Sequence, residues 1–190
     1  MALDPDLSDL TTVANLEAWM GLTNVAQPVA DQLQRLITAT SLWMQTYISR
    51  TIRSQAYTET RDGHGGNRLV LGNEPVTAVS SVMIDGQSIP ASPGFGQAGY
   101  AFTGTAIILT GYLFNRGDAN VRVSYTGGFA STPPDLEQAC LDLASMRWKE
   151  RDRIGHASKT IGAETVTFIT KDMSDFVRTT LAKYDSVIPV

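Results

Sequence analysis

A chain of 190 residues with an ordinary hydrophobic share of 43% can bury one domain, or one domain carrying an insertion, and is too apolar for wholesale disorder. Its formal charge of −4 argues against a protein that grips nucleic acid by neutralising phosphates. No apolar run approaches the roughly 20 residues of a membrane-spanning helix. MALDPDLSDL lacks the basic segment and apolar run of a secretory signal. Cys140, the only cysteine, excludes an internal disulfide and a multi-cysteine metal site. Cytoplasmic synthesis is expected.

Residues 1–11 are acidic and are expected to be only partly ordered. Thr12 is placed to cap a first helix carrying Val13, Leu16, Ala18 and Trp19, with Gly21 as its stop. A longer helix is expected from about Pro28 to Ser49. Proline suits its first turn, and Val29, Leu33, Leu36, Ile37, Thr40, Met44, Tyr47 and Ile48 recur at helical spacing. Trp43 lies at the edge of that stripe, and such aromatics read as core or subunit-contact residues.

The pattern changes at Thr51. Residues 55–126 carry short β-like runs between turns, predicting a small antiparallel sheet, sandwich or open barrel. Arg61 to Asn67 read as a hairpin tip followed by a strand over Arg68 to Leu71. Pro75 to Ile84 reads as another strand, and Asp85-Gly86 as a tight hairpin turn. Residues 91–104, rich in Gly, Ala and Ser, read as a long loop. Val121, Val123 and Tyr125 then alternate with Arg122, Ser124 and Thr126, the period of a half-buried strand.

Gly127 and Gly128 allow the sharp exit from that strand. Thr132 before Pro133, Pro134 and Asp135 reads as the start of a third helix. Leu136, Ala139, Cys140, Leu143 and Met146 fall on its apolar face. Beyond it, Ala163 to Thr170 is β-like. Ser174 is placed to cap a last helix with Phe176, Val177, Thr180, Leu181 and Tyr184 on one side. A helix that small makes little core alone, so it should dock on the main body or on another subunit.

Motifs for chemistry are missing. The loop Asp62-Gly63-His64-Gly65-Gly66 sits between β-like runs and has no following GK[ST], so it is no phosphate loop. His64 and His156 lack metal-ligand spacing, and no GxSxG elbow exists. Asp142 and Glu150, about 12 Å apart along a helix, make a poor acid–base pair. No catalytic residue, cofactor or metal is expected. The cluster Arg147, Lys149, Arg151 and Arg153 reads as a solvated helix surface, a subunit contact, or a channel surface that meets DNA.

Taken in order, several stretches resemble the head-to-tail connector (adaptor) family of tailed bacteriophages and prophages, the type that docks under the portal. They are LEAWMGL at 16–22, YISRTI at 47–52, Tyr57, Asp62-Gly63, Leu69, Leu71, Pro75-Val76, Val82 and Ile84-Asp85-Gly86. VRVSYTGGF, PPDLEQACLDLA and the Arg-rich helix end complete a pattern covering about residues 10–155. The resemblance implies an α+β fold. Residues 1–54 and 128–159 would form a discontinuous helical bundle, with 55–127 as an inserted β domain and 160–190 as a docking segment.

It further implies a virion neck protein, made in the host cytoplasm and without enzymatic activity. The implied assembly is a homo-oligomeric ring, usually dodecameric, that continues the DNA channel below the portal protein and meets a stopper or tail-completion protein. Genomic DNA would pass without sequence-specific binding, and no membrane is involved. Val166, Phe168, Phe176, Leu181, Tyr184 and Ile188 become candidate portal-docking residues. The alternative function is a DNA-binding packaging accessory that uses the Arg-rich helix.

Overall fold

The computed structural model describes residues 8–94, 96–151, 158–161, 164–167 and 173–185, the two short stretches 158–161 and 164–167 by their backbone. The chain has an α+β fold in two compact units. One runs up to Arg50 and resumes from Thr132 to Asp185; the other is Thr51–Ser131.

The first unit is helical. Helix α1 spans Val13–Met20, with the Thr12 hydroxyl accepting from the Asn15 amide at 3.2 Å and Gly21 as its left-handed C-cap. Helix α2 spans Gln27–Tyr47 with Pro28 in its first turn, where a missing N–H costs no helical bond. Leu33, Ile37 and Met44 of α2 are fully buried, and so is Leu16 of α1. Burial of each such side chain contributes about 1.5–3 kcal/mol. Tyr47 leaves the expected stripe and is 48% exposed.

Helix α3, Pro134–Glu150, is central to this unit. Its N-cap is Pro133, with no side-chain capping bond; Thr132 does not take that role. The expected residues Leu136, Ala139, Cys140 and Leu143 are buried, and so are Leu141 and Ala144 on another flank. Leu141 and Ala144 pack with Leu16, Leu33 and Ile37. One apolar stripe therefore understates a helix covered on two sides. Residues 8–11 are also better anchored than their composition suggests. Leu10 is buried, its amide donates to Ser41 Oγ at 3.0 Å, and Thr11 Oγ1 donates to Glu137 at 3.0 Å.

After α3, strands β8 (Ser158–Ile161) and β9 (Glu164–Thr167) pair antiparallel. The last helix, here α4, spans Asp175–Ala182. The Ser174 hydroxyl accepts from the Val177 amide at 3.3 Å, as the sequence predicts, and Val177, Thr180 and Leu181 are buried. α4 packs against α3.

The second unit holds strands β1 (Gln55–Gly63), β2 (Arg68–Val70), β3 (Val76–Ile84), β4 (Gln87–Ile89), β5 (Gly99–Phe102), β6 (Ala106–Thr110) and β7 (Gly117–Gly127). They form two sheets, ordered β1-β7-β3-β4 and β2-β6-β5. One core, including Leu69, Val82, Ile107, Leu109, Phe114, Val121 and Val123, holds them together. In β7 the buried residues Val121, Val123 and Tyr125 alternate with more exposed ones, as read from the sequence.

Two sequence expectations fail in this unit. Arg61–Asn67 is not a hairpin tip, because β1 pairs with β7 whereas β2 pairs with β6. The segment crosses between sheets. It is clamped by a distant partner: Gly65 N donates to Phe114 O at 2.6 Å, Phe114 N donates to Gly66 O at 2.8 Å, and the His64 ring stacks on Phe114. Residues 91–104 are not all loop either. They include β5, whose Tyr100 hydroxyl donates to Val79 O at 3.2 Å. The Asp85-Gly86 turn is as expected, with both residues at positive φ (52° and 78°) between β3 and β4.

Candidate assembly surfaces

Among the described residues, the helical unit presents two surfaces with exposed large apolar side chains. The first is a ridge on α2. Ala39, Leu42, Trp43 and Tyr47 recur along it, with Ala39 three and four residues before Leu42 and Trp43, and Trp43 four before Tyr47. Leu42 is 47% exposed and Tyr47 48%. The Trp43 and Tyr47 rings stack with centroids 5.5 Å apart, and the Arg147 guanidinium of α3 lies 5.5 Å from the Trp43 centroid. That position places a cation on the negative face of the indole.

The second is a cleft of about 290 Å³ between α1, α3 and the start of α4, lined by Trp19, Leu143, Met146, Val177, Asp142 and Lys149. Trp19 is 53% exposed on its wall, and Phe176 is 51% exposed on α4.

The described members of the basic cluster at the end of α3 separate in space. Arg147 lies on Trp43, whereas Lys149 borders the cleft. The Arg151 guanidinium sits 3.7 Å above the Trp148 ring centroid and donates to Trp148 O at 2.9 Å. Arg153 lies outside the described residues. Of the six candidate docking residues, Phe176 is exposed and Leu181 is fully buried inside the unit. The Tyr184 hydroxyl donates to Asp135 Oδ1 at 2.8 Å. Burial, and then the Asp135 carboxylate, push that phenol up to about 12. Val166 is in β9; Phe168 and Ile188 lie outside the described residues.

The β unit contributes two further features. A cleft of about 770 Å³ has Ile84, Asp85, Leu109, Tyr112, Leu113 and Asn115 among its lining. Asp85 accepts 2.8 Å bonds from both Asn115 Nδ2 and Asn120 Nδ2, which hold its carboxyl below the usual carboxylate range. Nearby strands are tied through Glu59, which accepts from the Tyr125 hydroxyl, Arg61 Nε and the Gly72 amide. Burial first, and then Glu59, raise the Tyr125 phenol above its ordinary range.

The head completion protein family matches residues 9–187. The chain belongs to that family. The fold agrees over the whole chain with solved particle structures. A chain from the neck of a native GTA particle, computed with C12 symmetry, aligns at TM-score 0.60 and 16% identity, covering 100% of this chain and 95% of that one. A chain from the neck of an empty GTA particle, computed with C6 symmetry, aligns at 0.61 and 17%, covering 100% and 96%. A chain from the virion of a native gene transfer agent particle aligns at 0.58 and 17%, covering 99% and 95%. None of the curated proteins matches the chain in sequence.

Within this head completion fold, the reading from sequence singled out Trp43 and the Arg cluster but missed Trp19 and Leu42 as open surface. The signal for Leu42 was present. On α2, Ala39 and Leu42 fall off the buried stripe, and apolar residues there do not serve the chain's own core. Trp19 carried no such signal, since it follows Val13 and Leu16 at helical spacing and reads as part of the same apolar face.

Proposed function

We propose that this head completion protein is a non-catalytic structural component of a phage-type particle neck. It forms a homo-oligomeric ring below the portal, continues the DNA channel, and offers its far side to the next neck or tail component. The observation carrying this reading is the family match over residues 9–187 combined with end-to-end fold agreement with neck chains solved in C12 and C6 assemblies. A dodecamer accords with the first of those symmetries. The surfaces support the reading too, because large aromatics left open on a folded unit are typical of contact sites.

The DNA-binding alternative is less well supported. The net charge is −4, and Arg147 and Arg151 each lie over an indole. An acidic protein around a channel lets DNA pass without holding it. Electron microscopy of the protein mixed with its portal tests the reading. A ring stacked on the portal is expected, and a lasting absence of association at micromolar concentration would overturn it. Strong DNA retention that falls steeply with salt would favour the packaging accessory.

A further inference from the structure

We infer that neighbouring copies in the ring join head to tail through the helical unit, the α2 ridge of one copy filling the α1/α3/α4 cleft of the next. This rests on the ring reading and names the surfaces that would build it. A closed ring needs two different, complementary patches on every subunit, whereas one self-complementary patch stops at a dimer. The helical unit carries such a pair. Its ridge presents exposed Leu42 and Tyr47 beside the half-buried Trp43, whose ring stacks on Tyr47. Its cleft is concave and largely apolar, walled by Trp19, Leu143, Met146 and Val177.

The placement of the two patches also suits a ring. On α3, Asp142, Met146 and Lys149 face the cleft while Arg147 faces the ridge. At 3.6 residues per turn, Arg147 lies roughly 130° around the helix from the middle of the cleft residues. One copy can therefore be engaged on both flanks at once. Size and charge agree as well. A cavity of about 150 Å³ holds one benzene ring, so a cleft of about 290 Å³ has room for a stacked aromatic pair. Arg147 at the ridge has a counterpart in Asp142 at the cleft, with Lys149 along the same wall.

Three variants decide the matter: Leu42→Glu with Tyr47→Glu blocks the ridge, Trp19→Glu blocks the cleft, and a third chain carries all three changes. Each of these residues is about half exposed, so folding is retained, as circular dichroism would verify. Assembly is read by native mass spectrometry, with the protein alone and with the portal as template. The single-surface variants should each lose self-association at least about tenfold. Mixed one to one, they should give a dimer and nothing larger, because one intact ridge meets one intact cleft. The triple variant mixed with either should give only monomer.

Dimers of the cleft-blocked variant alone would overturn the inference in favour of ridge-to-ridge contact. Rings that survive both blocks would overturn it and leave the ring reading standing. If the unsubstituted chain forms no ring with or without the portal, the ring reading itself fails, and this inference with it.

Discussion

Replacing Gly127 by alanine tests a tight backbone approach in the β unit. A Cβ there would lie 2.3 Å from Asn73 O and 3.1 Å from the Tyr125 ring. Ordinary carbon–oxygen contacts are about 3.3–3.6 Å, so the Asn73–Pro75 segment must retreat by about 1 Å. Overpacking of this kind costs roughly 1–3 kcal/mol. The retreat also strains the 3.0 Å bond from Gly128 N to Pro75 O, which contributes about 0.5–1.5 kcal/mol. The expected loss is roughly 2–4 kcal/mol. Gly86→Ala is the control: its φ is +78° but no atom lies within 4 Å of the new Cβ, leaving only left-handed strain of roughly 1–2 kcal/mol. Urea denaturation followed by circular dichroism gives the two losses. Tryptophan fluorescence follows the helical unit separately, because Trp19, Trp43 and Trp148 all lie there. Amide exchange at Asn73 and Gly128 should accelerate in Gly127→Ala only. Equal losses for the two variants, with unchanged exchange, would refute the crowding account.

Tyr125→Phe should destabilise the β unit by about 1.5–3 kcal/mol, since it removes a hydrogen bond to a charged group, and Glu59→Gln by about 0.5–1.5 kcal/mol, since the amide oxygen still accepts from the Tyr125 hydroxyl but without the charge; a double-mutant cycle should give coupling of about 0.5 kcal/mol or more. Thr12→Ala and Ser174→Ala each remove an N-cap and should cost about 1 kcal/mol, read as a shift in thermal midpoint. Burial pushes the Cys140 thiol up to about 12, so it should resist thiol reagents at pH 8 and react at the rate of global unfolding. Because the unfolded thiol ionises near 8.5, the unfolded state holds fewer protons above that pH. Stability should therefore fall progressively between about pH 8.5 and 12, with Cys140→Ala reducing the slope.

Elements set by near neighbours were legible in the sequence. Thr12 and Ser174 announce helix starts through hydroxyls that reach three residues ahead, and Asp85-Gly86 fixes its turn within four residues. The alternation of Val121, Val123 and Tyr125 gave β7 directly. What failed depended on distant partners. Nothing local shows that Phe114 will clamp Gly65 and Gly66, so a sheet-to-sheet crossing looks like a hairpin tip. Tyr100 and Phe102 sit among small residues typical of loops, and only the register with β6 makes β5 a strand. At α3, Thr132 offered a capping hydroxyl that goes unused, because the helix begins two residues later, after Pro133.

The candidate surfaces were less legible than the fold for a related reason. A core stripe and a contact stripe have the same helical period, so Tyr47 reads as inward from its spacing although it is 48% exposed. What separates them is how many stripes a helix needs. α2 buries Leu33, Ile37 and Met44 along one flank, which satisfies the helical unit; Ala39, Leu42 and Trp43 then exceed what the fold requires. α3 shows the opposite case, since Leu141 and Ala144 also lie off its main stripe but are buried within the unit. An extra apolar flank therefore marks either a central helix or a meeting point with another molecule. Only the packing distinguishes them, and it makes α3 the centre of the bundle and α2 its open side.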